Sequence, residues 1–311
     1  MNDATAGSSG PRIIPHLWYD KEAKEAATFY SSVFPDSRIT SATTLRDTPS
    51  GDAELVSFTI WGCPFMAISA GPLFKFNPSV SFIVNFDPSR ESRARELLDE
   101  TWDKLAEHGT ALMPLGEYPF SERFGWIRDK YGVTWQLMLT NPEGEPRPTI
   151  IPSLMFTGDN AGRAEEAREL YLSVFERSRP GQLHRYGPGM APDREGTVMF
   201  SDFMLENTWL TAMDSAHNHG FGFNEAISLL VRCDTQEQID AYWSGLSAVP
   251  EAESCGWLKD KFGLSWQIAP AAMDDMMASG TPEQIERVTA AFMPMKKLDL
   301  AKLEQAYRGE A

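Results

Sequence analysis

The stretch GWIRDKYGVTWQ at residues 125–136 returns as GWLKDKFGLSWQ at residues 256–267, with seven of the twelve positions identical. The other five are conservative exchanges: Ile/Leu, Arg/Lys, Tyr/Phe, Val/Leu and Thr/Ser. Agreement of that density marks a tandem duplication, so the fold is one that the chain adopts twice. Working outward, Ile13-Ile14-Pro15 recurs as Ile150-Ile151-Pro152, and Phe29-Tyr30-Ser31-Ser32-Val33-Phe34 recurs as Leu170-Tyr171-Leu172-Ser173-Val174-Phe175. Phe74-Lys75-Phe76-Asn77 recurs as Phe221-Gly222-Phe223-Asn224, while Ser81, Val84 and Asp87 recur as Ser228, Val231 and Asp234. The spacing between blocks varies, which places insertions in loops and helix ends. A period of roughly 140 residues belongs to a duplicated domain rather than to a solenoid.

Within each half the local signals describe the same unit twice, in the order β-α-β-β-β. Residues 13–19 (IIPHLWY) are short, apolar and β-prone, and Asp20 is the expected cap of a helix over 21–34 that Pro35 stops. Strands are expected at 38–46, 54–61 and 64–70, the last two joined at Gly62-Cys63. A second unit follows: strand 79–86, a helix opened by Asp87-Pro88 and running to about 107, then strands near 110–114, 123–129 and 133–139. In the second half, strands are expected at 150–156, 183–187, 196–205, 208–214, 225–232, 254–259 and 264–269, with helices at 160–175 and 234–247. The domain plan is therefore a flexible N-terminus at 1–11, a first domain at 12–140, a linker at 141–149, a second domain at 150–270 and a helical tail at 271–311. Thr281-Pro282-Glu283-Gln284 has the capping-box pattern of a helix start, and a further helix opens on Asp299. The first half has no such tail.

Composition narrows the function. A formal charge of −16, from 28 basic and 44 acidic residues, repels phosphate backbones, so no nucleic-acid partner is expected. Cys63, Cys233 and Cys255 form no C-x-x-C pair, which argues against a disulfide framework or structural zinc and for a reducing, cytoplasmic setting. No signal-peptide pattern and no membrane-length apolar run is seen, so no membrane partner is expected.

These blocks resemble the vicinal oxygen chelate superfamily, which includes glyoxalases, bleomycin-resistance proteins and dioxygenases. Within it they are similar to the branch named for 3-demethylubiquinone-9 3-methyltransferase. The resemblance is carried by residues 13–39, 64–84 and 125–138 in the first half, and by 213–231, 255–270 and 286–307 in the second. It implies an α+β fold of tandem glyoxalase-like domains, each with two βαβββ modules in a curled mixed sheet, followed by C-terminal helices. It also implies a small-molecule cavity. Because related single domains pair, the two halves are expected to form an intramolecular pseudo-dimer, packed through their sheets or with modules exchanged. The branch name does not itself argue for methyl transfer: no glycine-rich turn follows a parallel strand to cradle a methyl-donor cofactor.

Enzymes of the superfamily usually hold a divalent metal through His and Glu on the first and last strands of the modules. Here those positions carry His16 and Ser153, then Ser79 or Ser81 and Ala226 or Ser228, and finally Gln136 and Gln267. Serine and glutamine are weak ligands for transition metals. No cofactor is therefore expected; were a metal present, His16 would be its best single ligand. Alternation along a strand puts Trp135 opposite Gln136 and Trp266 opposite Gln267, and the glutamines are expected on the cavity side. The candidate ligand-binding residues are His16, Asn77, Trp126, Gln136, Asp214, His219, Asn224, Trp257 and Gln267. Asp214 and His219 belong to DSAHNH, 214–219, where His217 joins them in either a polar loop between two strands or a metal or proton-transfer site at a loop mouth. Cys255 reads as a plain buried thiol.

The reading that follows is a metal-free small-molecule-binding protein whose reaction, if any, is unspecified. Two alternatives stand beside it: a non-catalytic interaction module or pseudo-dimeric scaffold, and a metal-dependent lyase, isomerase or dioxygenase. Any surviving site is expected in the second half, which keeps the tail.

Overall fold

A computed structural model describes residues 10–141 and 145–310. The expected N-terminal segment falls outside them as far as residue 9, as do linker residues 142–144. The first half contains β1 (Ile13–Tyr19), α1 (Ala23–Val33), β2 (Arg38–Thr48), β3 (Gly51–Ile60), β4 (Cys63–Ser69), β5 (Val80–Phe86), α2 (Ala94–Ala106), β6 (Thr110–Tyr118), β7 (Ser121–Arg128) and β8 (Thr134–Leu139). The second contains β9 (Ile150–Phe156), α3 (Ala164–Val174), β10 (Ser178–Arg185), β11 (Val198–Leu205), β12 (Thr208–Asp214), β13 (Ile227–Cys233), α4 (Gln236–Leu246), β14 (Trp257–Lys259) and β15 (Ser265–Pro270). The tail holds α5 (Ala272–Ser279), α6 (Pro282–Phe292) and α7 (Leu300–Arg308).

Two helix starts differ from the sequence signals. Asp20 does not cap α1; the Ala23 amide donates to Ser69 Oγ at 3.1 Å instead. Asp87 closes its own turn, accepting from the Ser89 amide at 2.8 Å and from Ser89 Oγ at 2.7 Å, so α2 begins only at Ala94. A short polar side chain that finds a nearby amide competes with helix initiation.

The strands form two mixed sheets, and each sheet draws one module from each half. The first has seven strands in the order β14-β15-β13-β1-β4-β3-β2; the second has eight, β10-β11-β12-β9-β5-β8-β7-β6. Of the two pseudo-dimer arrangements expected, the structure adopts exchange. The junctions are antiparallel: β1 lies on β13 with His16 opposite Ser228, and β5 lies on β9 with Ser81 opposite Ser153. Among the described residues no helix is long and apolar enough to cross a membrane.

Alternation then separates two faces. Ile13, Leu17 and Tyr19 of β1, with Leu229 and Val231 of β13, join a core that packs the sheets against α1–α4. Ile14, His16 and Trp18 point to the other face, as do Leu230 and Arg232.

The repeated motif is a folding device. Asp129 Oδ1 accepts from the amides of Tyr131 and Val133 at 2.9 and 3.1 Å, which closes the turn. Its Oδ2 accepts from Tyr30 Oη and Trp135 Nε1, each at 2.9 Å. Asp260 repeats this with Phe262, Leu264, Tyr171 and Trp266. Burial pushes both carboxyls above the ordinary aspartate value although donated hydrogen bonds pull the other way. Gly132 and Gly263 take the positive φ that the turn demands, +97° and +83°. The other shared glycine is kept for different reasons. A Cβ on Gly125 would meet the Trp102 ring at 2.4 Å, whereas Gly256 lies at φ +86°.

That second reason leads to the tail. The module of β13, α4, β14 and β15 has no counterpart to β6, which leaves β14 at the edge of its sheet. There the successive amides of Cys255 and Gly256 donate to the carbonyls of Met295 and Lys296, each at 2.7 Å. The tail thus completes the sheet edge and folds back over the cavity face. Its capping box at Thr281 and Gln284 forms as the sequence predicts, and Asp299 accepts from the Lys302 amide. A second apolar cluster results, uniting Leu45, Ala53 and Ala70 with Met276, Met277, Val288, Phe292, Leu298 and Leu303.

Candidate functional site

The cavity face of the first sheet and the tail enclose a chamber of ≈ 470 Å³. Its floor is made by Ile14, His16 and Trp18 of β1, Met66 and Ile68 of β4, Leu230 of β13, and Gln267 and Ala269 of β15. Trp257 stands on one wall, and Leu55 and Ser57 of β3 on the other. Met273, Met277, Phe292 and Leu298 form the roof. The roof is tied to the sheet by Thr43 Oγ1 donating to the Met277 carbonyl at 3.1 Å and by an Arg232–Asp274 ion pair at the mouth. First-half and second-half residues contribute together, so the chamber does not belong to the second half alone.

At the floor His16 is 3% exposed, and its ring meets the edge of Trp257 with centroids 5.6 Å apart. Neither ring nitrogen has a hydrogen-bond partner among the described residues, and Nδ1 is fully buried. Burial with no compensating carboxylate lowers the imidazole pKa from 6.5 to about 3, so the ring is neutral near neutral pH. Beside it Gln267 Nε2 donates to Ser228 Oγ at 2.9 Å, which leaves the amide oxygen as a spare acceptor.

The donor set does not suit a divalent metal. One imidazole is accompanied by a serine hydroxyl, a glutamine amide and the apolar Met66 and Ile68, and no three His, Cys, Asp or Glu side chains converge among the described residues.

The second sheet has the same plan with other contents. Ser153 replaces His16, Ser81 replaces Ser228, and Gln136 Nε2 donates to Ser81 Oγ at 2.8 Å. A cavity of ≈ 560 Å³ opens toward the linker and is lined largely by polar groups. Arg147 crosses it, donating to Asp202 Oδ2 at 2.8 Å with its guanidinium 3.8 Å from the Trp209 ring centroid. Asn85 holds the same segment through the Pro148 carbonyl at 2.7 Å. Neither Gln136 nor Trp126 borders that cavity; Gln136 is buried against Ser81, and Trp126 is partly buried with its indole nitrogen unpartnered among the described residues.

The remaining candidates lie away from both chambers. Asn77 donates to the Gly222 carbonyl at 3.0 Å and Asn224 to the Lys75 carbonyl at 2.9 Å, a reciprocal pair of staples between the halves. Asp214 accepts from the amides of Gly162, Ala164 and Val198 at 2.8, 3.0 and 2.9 Å, so it orders the start of α3 rather than facing a ligand. His219 Nε2 bonds Ser215 Oγ at 2.8 Å, and His217 is largely exposed, 3.8 Å from Asp193. This is the loop reading of DSAHNH. Cys255 is half-buried at the chamber wall rather than fully buried, its thiol donating to the Met293 carbonyl at 3.2 Å.

Of the nine candidates, His16, Trp257 and Gln267 therefore meet around one chamber. Sequence reasoning missed Trp18, Arg232 and the roof. One signal for the roof was present: Met273, Met276, Met277, Met293 and Met295 are five of the chain's 14 methionines.

The profile of the family described as 3-demethylubiquinone-9 3-methyltransferase matches residues 11–138 and again 148–269. A Bacillus cereus protein described as a 3-demethylubiquinone-9 3-methyltransferase, PhnB protein, is 37% identical over 41% of this chain and 98% of its own, with a TM-score of 0.36. Glyoxalase I from Zea mays is 11% identical over 84% of this chain and 94% of its own, with a TM-score of 0.50, a likeness of fold. A dioxygenase-like protein from Bacillus subtilis is 13% identical over 94% of this chain and all of its own, with a TM-score of 0.49. No curated protein matches the chain.

Proposed function

We propose, for a chain that belongs in both its halves to the 3-demethylubiquinone-9 3-methyltransferase family of the vicinal oxygen chelate superfamily, that it is a small-molecule-binding protein. Its working site is the chamber over the first sheet. The observation that carries this reading is the unpartnered, nearly buried imidazole of His16 on the floor of an open-mouthed, mostly apolar chamber. A buried polar group left unsatisfied costs about 1–3 kcal/mol. A ligand that meets it recovers that cost on binding. The volume falls within the range of small-molecule sites, which run from about 300 to 1,000 Å³.

Two features argue against readings that borrow from relatives. The family's name suggests methyl transfer, but among the described residues no glycine-rich turn leads from a parallel strand into a helix to hold a nucleotide-like methyl donor. The superfamily's metal chemistry needs ligands that the floor lacks. Binding without metal assistance fits the groups present, with Gln267 and His16 as the polar contacts and Trp257 and Trp18 as the walls. The second sheet serves the architecture.

The test uses the intact protein and the neutral fluorescent probe N-phenyl-1-naphthylamine. Saturable enhancement of its emission, abolished by Ala269→Phe but retained by Thr211→Phe on the second sheet, is the expected result. Binding that ignores Ala269→Phe while the variant stays folded would remove the chamber from consideration.

A further inference from the structure

The chamber's surroundings also narrow its ligand, an argument that rests on the binding reading above. We infer that the chamber selects a neutral, flat, mostly apolar molecule bearing one hydroxyl, an aromatic alcohol or phenol, which bonds His16 Nε2, the ring nitrogen that is not sealed from the chamber.

Charge is decided first. The one guanidinium at the mouth, Arg232, is paired with Asp274, and Asp275 lies on the same rim. An anion would therefore meet a neutralised cation, a carboxylate, and beyond them a chain of formal charge −16. A cation reaching the floor would find a neutral imidazole and an amide, with no carboxylate on the floor among the described residues, so its desolvation would go unmatched.

Shape comes from the walls. Trp18 and Trp257 meet at 6.0 Å with planes 77° apart, and Trp257 presents its edge to His16. The two indoles pack edge-to-face on each other, and the aromatic surface they still turn to the chamber favours a flat ring laid against it. Above them Met273 and Met277 offer flexible, polarisable thioethers that adapt to an aromatic guest.

The polar group follows from the orphan nitrogen. Nδ1 is sealed within the floor, so the contact falls to Nε2; whether Nε2 carries the proton or the lone pair, a hydroxyl satisfies it, because a hydroxyl both donates and accepts. A ligand with a methyl group in that place would leave the nitrogen unpaired.

The experiment compares 2-naphthol with 2-methylnaphthalene, a pair of nearly equal shape, by displacement of the fluorescent probe from the full-length protein. Native protein should prefer 2-naphthol by about tenfold, the equivalent of one recovered hydrogen bond. His16→Leu should erase the preference while keeping affinity for 2-methylnaphthalene. His16→Gln, whose amide reaches close to the position of Nε2, should restore part of it and covers the case in which the leucine variant fails to fold. 2-Naphthoate should bind more weakly than either. Equal affinity for the pair in native protein, or a preference untouched by His16→Leu, overturns the inference while leaving the binding reading in place. Absence of displacement by all three, with the probe still bound, overturns the inference alone; absence of probe binding overturns both.

Discussion

The two sheets of this molecule are copies whose floors differ, His16, Trp18 and Met66 of the first standing where the second has Ser153, Met155 and Thr211, and which differ again in what lies above. Across the first junction His16 faces Ser228, and across the second Ser153 faces Ser81. Both sheets keep the glutamine that donates to the junction serine. Yet the first is roofed by methionine-rich helices over an unpartnered imidazole, and the second is crossed by Arg147, already bonded to Asp202. A duplicated scaffold preserved its walls in both copies, while the character of each chamber was set by segments that were not duplicated: the tail in one case, the linker in the other.

The comparison is broken most severely at the shared motif. Asp129→Ala and Asp260→Ala each strand four buried donors, and each is expected to cost about 3–5 kcal/mol. Urea unfolding should find the two losses alike; a large inequality would mean that the two nodes are no longer equivalent. Next in size is the roof. Phe292→Ala removes a buried ring between tail and sheet and should cost about 3 kcal/mol, with weaker probe binding at the first chamber, which fluorescence titration would register.

The third contrast is with pH. His16 has no counterpart in the second sheet, and its folded pKa of about 3 lies below the ordinary 6.5. Above 6.5 neither state binds the proton. As pH falls from 6.5 toward about 3 the unfolded chain takes up a proton that the folded chain refuses, so stability is lost on acidification. Native protein should therefore lose about 1.4 kcal/mol more per pH unit in that window than His16→Asn. Parallel pH curves from denaturant melts would contradict the burial of a neutral ring. The smallest effect is expected at the linker: Arg147→Ala should cost only about 1 kcal/mol and should not create a second binding event for the neutral probe. A second saturable event in that variant would mean that Arg147 alone separates the two chambers.

Much of this was legible from local pattern. The bounds of β1 follow from IIPHLWY, the turn glycines Gly132 and Gly263 follow from spacing, and the opposite facing of Trp266 and Gln267 follows from strand alternation. Asn77 and Asn224 were misplaced because their partners, Gly222 and Lys75, lie 145 and 149 residues away and share no pattern with them. Asp214 resembled a site residue for a related reason. An aspartate that accepts from backbone amides of another element looks, in sequence, like one that faces a ligand.

The chain by itself determined that there are four βαβββ-derived modules, where their strands run, which side chains share a face, and that one histidine, serines and glutamines stand where the superfamily resemblance expects metal ligands. Those properties depend on neighbours along the backbone, where period and turn chemistry act. Only the tertiary structure decided that modules are exchanged between halves, that the tail completes a sheet edge, and that His16 ends up without a partner. Each of these is a choice among contacts between segments far apart in sequence, and it is settled by which surfaces fit together once the strands exist.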